Sequence, residues 1–152
     1  TLSDGGKTVA SVEKSVTPGL TVAAEIENPR LWSPVDPFLY DIKFELFDAS
    51  GSLTDTVFSY AGLREFHIEG KRFYLNNEPI FLRMVLDQGF YEEGLWTAPD
   101  DAALENDIRL AMRAGFNGAR LHQKIFDPRY HYHADRLFDH FSIFPFNICM
   151  KI

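Results

Sequence analysis

The chain is 152 residues long, 45% hydrophobic and 14% aromatic, with a formal net charge of −7. That length suits one ordinary domain or two incomplete ones, and the apolar content is ample for a buried core and argues against disorder. With an acidic balance and no clustered basic stripe, nothing favours nucleic acid or an anionic membrane surface, and a neutral polar ligand is compatible. No apolar run approaches the roughly 20 residues of a membrane-spanning helix.

The single Cys149 allows no internal disulfide and leaves the compartment undecided between periplasmic or secreted and cytoplasmic. No basic start followed by an apolar stretch occurs before Thr8, so no signal peptide is expected within these residues.

From Thr8 to Arg64, β-branched and aromatic residues alternate with polar ones at period two. Strands are expected over Thr8 to Val16, Leu20 to Glu27, Phe38 to Phe47 and Leu53 to Tyr60. Turn residues separate them: Pro18-Gly19, the prolines 29, 34 and 37 around Trp32, and Asp48-Ala49-Ser50-Gly51. This pattern predicts part of an antiparallel sandwich, since four or five strands are fewer than the usual seven. Trp32 is expected in the core at the sandwich junction.

Three more strand-like pieces follow, Glu65 to Ile68, Arg72 to Leu75 and Ile80 to Val85, with turns at Glu69-Gly70 and Asn76-Asn77. The third is apolar nearly throughout, as a strand covered on both faces is, which places a domain boundary near Arg64. After the loop from Leu86 to Trp96, Thr97 is the expected N-cap of a helix, with Pro99 in its first turn and Asp100 in a capping-box position. The helix lines up Leu104, Ile108, Ala111 and Met112 and ends at Gly115. Phe116 to Leu121 then reads as a strand, and Asp127-Pro128 as the start of a second helix running through Leu137.

Strand, loop, helix, strand, loop, helix from Ile80 to Leu137 makes two successive βα units. A (β/α)₈ barrel needs about 250 residues, so these are a small part of one. Polar side chains where a barrel strand meets its following loop line the ligand face, which singles out Arg120, His122, Gln123 and Lys124, and after the first strand Asp87 and Gln88.

Five ordered stretches are similar to glycoside hydrolase family 2, the β-galactosidase and β-glucuronidase group. They are Asn28-Pro29-Arg30-Leu31-Trp32-Ser33-Pro34, Pro37-Phe38-Leu39-Tyr40, Gly62-Leu63-Arg64-Glu65, the run from Phe73 to Arg83, and Gly115-Phe116-Asn117-Gly118-Ala119-Arg120 behind a helix bearing Asp107-Ile108. The resemblance implies that residues 1–64 are the later part of an immunoglobulin-like β-sandwich, and that residues 65–152 are the N-terminal part of a TIM-barrel glycosidase domain. It implies a carbohydrate substrate, a β-galactosidase-like hydrolysis with retention, and no cofactor.

Retaining hydrolysis needs two carboxyls roughly 5 Å apart across the scissile bond. Neither family glutamate motif occurs here, so the isolated chain is expected to be inactive, with no catalytic residue of its own. A non-catalytic carbohydrate-binding or packing module is the alternative. The sequence after Leu137 departs from the family pattern and looks like a truncation or a shifted frame, although Phe141 to Phe144 could fill the slot of a third strand.

The resemblance assigns Arg120 a supporting role beside the nucleophile, where a guanidinium keeps a carboxylate ionised; the plain alternative is a salt bridge at the core rim. Asp87 and Gln88 could bind sugar hydroxyls or simply cap their loop. His122 and Gln123 divide between sugar binding and hydrogen bonding within the barrel mouth. Trp96, with Phe90 and Tyr91, could stack on a sugar face or anchor the first loop. Glu92 and Glu93 are adjacent loop residues that point apart, and His131 and His133 are spaced i, i+2 on a helix, so neither pair builds a catalytic or a metal site. An open part-barrel leaves strand edges and apolar faces uncovered, from which self-association is expected.

Overall fold

The computed structural model describes residues 1–137 and 142–144. The chain is mostly β, with antiparallel sheets and few helices, and it divides into two units. The first comprises Thr1–Arg30 and Leu39–Gly62; the second comprises Leu31–Phe38 and Leu63–Ile152.

The first unit carries strands β1 (Leu2–Asp4), β2 (Lys7–Ala10), β3 (Tyr40–Phe47) and β4 (Leu53–Ala61), in the order β2-β1-β3-β4, all antiparallel. The β3–β4 turn is built by Asp48, whose Oδ1 accepts from the amides of Ser50 and Ser52 and from the Ser50 hydroxyl. Those donors hold the Asp48 carboxyl below its usual range, the Ser50 hydroxyl contributing most. Gly51 supplies the positive φ of 82° that the turn requires.

Two sequence expectations differ here. The strand predicted over Thr8 to Val16 ends at Ala10, and the one over Leu20 to Glu27 does not form. Its alternation is real, but a strand exists only when its amides and carbonyls join a ladder, and none of these residues joins one among the described residues, Leu20 returning its amide to the Thr17 carbonyl in a turn. Among the described residues the unit is one sheet, with Phe44, Val57 and Phe58 each more than half exposed on it.

The second unit opens with a meander of β5 (Phe66–Glu69), β6 (Arg72–Leu75) and β7 (Glu78–Ile80). Asn76 and Asn77, both at positive φ, form the two-residue turn between β6 and β7, the geometry that matches strand twist. The long apolar piece predicted over Ile80 to Val85 is two strands, β7 and β8 (Met84–Asp87), with a break at 81–83. Asn117 spans that break: its Nδ2 donates to the Phe81 carbonyl at 2.7 Å, its Oδ1 accepts from the Arg83 amide, and its own amide donates to the Arg83 carbonyl at 2.9 Å. A buried side-chain amide thus replaces the missing ladder bonds.

Helix α1 (Asp101–Arg113) follows β8, then β9 (Gly118–Leu121), α2 (Pro128–Arg136) and β10 (Ser142–Phe144). The three strands are parallel, in the order β10-β9-β8. Ser142–Phe144 does take the third-strand slot; the rest of the tail after Leu137 lies outside the described residues.

The N-cap of α1 is Asp100, not Thr97, and its carboxylate accepts from the Ala103 amide at 2.8 Å. Thr97 instead closes the preceding loop by donating its amide to the Gly94 carbonyl. The helix ends in a Schellman arrangement, with Gly115 at φ 86° and the amides of Gly115 and Phe116 returning to Met112 and Ala111. Leu104 and Ile108 fill its buried face. α2 starts as the sequence predicts, with Asp127 capping and Pro128 in the first turn. Glu105 and Arg136 tie α1 to α2, as do Asp101 and Arg129 at 2.7 Å.

Trp32 is 1% exposed and belongs to this second unit. Its amide donates to the Leu63 carbonyl, its indole N–H donates to the Asp135 carbonyl at 2.8 Å, and its own carbonyl accepts from Asn76. The Arg64 guanidinium lies 4.4 Å from its ring centre and pairs with the Asp135 carboxylate at 3.0 Å. Residues from three of the family stretches, with Asp135 of α2, therefore converge on one structural knot.

Candidate functional site at the strand ends

Parallel pairing fixes which side chains share a face. Val85 and Asp87 stand beside Ala119 and Leu121, while Leu86 stands beside Arg120. Ala119 is fully buried and the Asp87 carboxylate reaches Tyr130 of α2, so that face is covered by the helices. Leu86 and Arg120 share the opposite, exposed face.

Asp87 is engaged within the scaffold. Its Oδ1 accepts from the Gly89 amide at 2.7 Å, and its Oδ2 accepts from the Tyr130 hydroxyl at 2.8 Å. Behind it, Asp107 of α1 accepts a hydrogen bond from the Tyr91 hydroxyl. Burial pushes the Asp107 carboxyl above its usual range, against the lowering effect of Tyr91, and the Asp87 charge adds to the rise. Burial also drives both phenols well above theirs, followed by the Asp107 hydrogen bond at Tyr91 and the Asp87 charge at Tyr130. Two Asp–Tyr pairs thus lock the first loop to both helices.

Gln88 and His122 meet, Nε2 to Nδ1, at 3.1 Å across the ends of β8 and β9. With the amide donating, the imidazole carries its proton on Nε2 and can offer it to a ligand. Gln123 is exposed at φ 62°, a left-handed conformation that costs a non-glycine residue about 1 kcal/mol or more. Trp96 is 65% exposed and Phe90 61%, with ring centres 6.3 Å apart. Glu92 and Glu93 are exposed at the loop tip.

The structure therefore gathers Gln88, His122, Gln123 and Arg120 around the two strand ends, puts Trp96 on the first loop, and turns Asp87 toward the helices. Sequence reasoning gave no role to Asn117, Tyr130 or Asp107, and it set Lys124 among the ligand-facing residues, whereas the structure turns it onto the first loop. Lys124 donates to the Gly89 carbonyl at 2.7 Å and to the Trp96 carbonyl at 3.0 Å. Its partners are 35 and 28 residues away, so no local pattern announces it.

Parallel strands linked by helices, with polar side chains collected where the strands end, form the arrangement of an α/β ligand site. Residues 1–64 match the model of glycosyl hydrolases family 2. A β-glucuronidase from Paenibacillus borealis is 33% identical over 82 residues, 54% of this chain and 13% of that protein. A family 2 glycosyl hydrolase from Bacteroides cellulosilyticus superposes with a TM-score of 0.81 at 26% identity, over 94% of this chain and 20% of that one. A β-glucuronidase from Ruminococcus gnavus in complex with D-glucuronic acid superposes with a TM-score of 0.78 at 23% identity, over 93% of this chain and 23% of that one. The family match thus lies in residues 1–64, and the chain spans between an eighth and a quarter of the length of these relatives.

Proposed function

We propose that the chain is part of a retaining β-glycosidase, joining the later strands of an immunoglobulin-like domain to the first two βα units of a catalytic (β/α)₈ barrel. The observation that carries this reading is the polar set at the ends of the parallel pair β8–β9, in a chain whose residues 1–64 match family 2. The relatives from Paenibacillus borealis and Ruminococcus gnavus are β-glucuronidases, so a β-glucuronide replaces the β-galactoside expected from the sequence as the favoured substrate class.

In this mechanism one carboxylic acid protonates the leaving oxygen and a carboxylate attacks the anomeric carbon, giving a glycosyl-enzyme that water then releases. Both carboxyls come from outside the two βα units of this chain. Arg120, on the open face of β9, holds the attacking carboxylate ionised through opposite charge and paired N–H donors. Gln88 and the His122 Nε2–H donate to sugar hydroxyls. The chain alone should leave nitrophenyl β-glucuronide, β-galactoside and β-mannoside unhydrolysed. The longer protein should release the β-anomer first, read by proton NMR; the α-anomer first would contradict retention.

A non-catalytic carbohydrate-binding module is the second reading, favoured by the complete engagement of Asp87 by Gly89 and Tyr130. Turnover by the longer protein separates it from the first.

A further inference from the structure

The loop from Gln88 to Thr97 is held in three ways. The Tyr91 and Leu95 backbones exchange hydrogen bonds of 2.8 and 2.9 Å, closing the Glu92-Glu93-Gly94 tip. Tyr91 is tied to Asp107 on α1. The two ends of the loop, at Gly89 and Trp96, are joined by a single ammonium group, Lys124 Nζ.

That ammonium also lies 4.6 Å from the Phe126 ring centre and 6.0 Å from the Tyr91 ring centre, so its remaining charge faces aromatic surface. Two backbone features serve the contact. Gly89 lies at φ 59°, and a Cβ there would stand 2.6 Å from Lys124 Nζ and 3.0 Å from Phe126, so only glycine lets the lysine reach its carbonyl. Gln123, at φ 62°, holds a left-handed turn immediately before Lys124. Strain of that kind persists where surrounding structure enforces it, and here the bonds of the next residue do so.

What the lysine holds in place is the pair Phe90 and Trp96, two largely exposed rings on the loop that follows β8. Exposed aromatic faces beside a polar strand end suit the C–H faces of a pyranose, whose hydroxyls would then meet Gln88 and His122. Resting on the glycosidase reading above, we infer that Lys124 is a positioning residue that fixes Phe90 and Trp96 as a sugar-stacking surface at the mouth of the site.

The chain has two tryptophans, Trp32 buried and Trp96 exposed, so acrylamide quenching and ligand-induced emission changes report on Trp96. The test titrates the full chain, its Lys124→Met, Lys124→Gln and Lys124→Arg variants, with methyl β-D-glucuronide, with far-UV circular dichroism as the control for folding. The expected result is a saturable Trp96 response in the unaltered chain, a midpoint weakened about tenfold in Lys124→Met together with a changed quenching constant, an intermediate value for Lys124→Gln, and recovery in Lys124→Arg. A midpoint in Lys124→Met equal to that of the unaltered chain would overturn the inference while leaving the glycosidase reading standing. A changed quenching constant with no saturable sugar response in any variant would also overturn it, since the loop would be anchored for something other than stacking. Hydrolysis by the longer protein tests the glycosidase reading separately.

Discussion

The Tyr130 hydroxyl donates to Asp87 Oδ2 at 2.8 Å, tying the end of the first parallel strand to the first turn of α2. Tyr130 is 1% exposed, so the bond is made where a lost donor is not replaced by water. Tyr130→Phe keeps the ring and removes only that donor. It should lower stability by about 1–2 kcal/mol in urea unfolding; an unchanged midpoint would mean that Asp87 finds another donor.

Asn117 predicts a larger effect. Asn117→Ala removes two bonds at once and leaves the Phe81 carbonyl and the Arg83 amide without their partner. The expected cost is about 2–4 kcal/mol, with Asn117→Asp also destabilising because a carboxylate cannot donate to the Phe81 carbonyl. The same urea series measures both.

Two of the shifted carboxyls, Asp107 and Asp127, respond to pH in opposite senses. The Asp107 carboxyl is raised in the folded chain, so below its unfolded value of 3.8 it imposes no penalty, and the penalty grows as pH rises through its folded value. Asp107→Asn, which can still accept from Tyr91, should therefore be neutral to stabilising at neutral pH, with the difference vanishing in acid. Asp127 is lowered to about 2, chiefly by hydrogen bonds from Arg129, so its contribution is present above 3.8 and is lost as pH falls through about 2. Because that pair is solvent-screened, the change is a fraction of 1 kcal/mol. Thermal unfolding between pH 2 and 7 checks both signs.

How far the sequence discloses this molecule depends on how local each cause is. The Asp48 turn, the Asn76-Asn77 hairpin, the Gly115 helix end and the Asp127-Pro128 helix start depend on residues within a few positions, and each was readable. Leu20 to Glu27 alternates as a strand should, yet a strand needs a partner that alternation cannot supply. Trp32 reads as core at the sandwich junction because an aromatic says that it is buried, not against what; its partners Leu63, Asn76 and Asp135 lie 31 or more residues away. The same holds at the site. Strand-end position exposed Arg120, Gln88 and His122, whereas the helix-ward turn of the Asp87 carboxylate and the reach of Lys124 depend on contacts some 28 to 43 residues away.

Exposed apolar faces give a prediction about association. Leu86 on β8 is 54% exposed, and Phe44, Val57 and Phe58 are exposed on β3 and β4. The chain should sediment as a concentration-dependent oligomer, and Leu86→Lys or Phe58→Lys should shift it toward the monomer. A monomer at every concentration would contradict this.

The most direct measurement is the turnover of nitrophenyl β-glucuronide by the longer glycosidase of which we propose this chain to be part, with and without Arg120→Ala. If Arg120 holds an attacking carboxylate ionised, kcat should fall by about 10²–10³ with a much smaller change in KM, as for loss of one electrostatic stabiliser. An unchanged kcat, or a loss confined to KM, would contradict the role assigned to the strand end of β9.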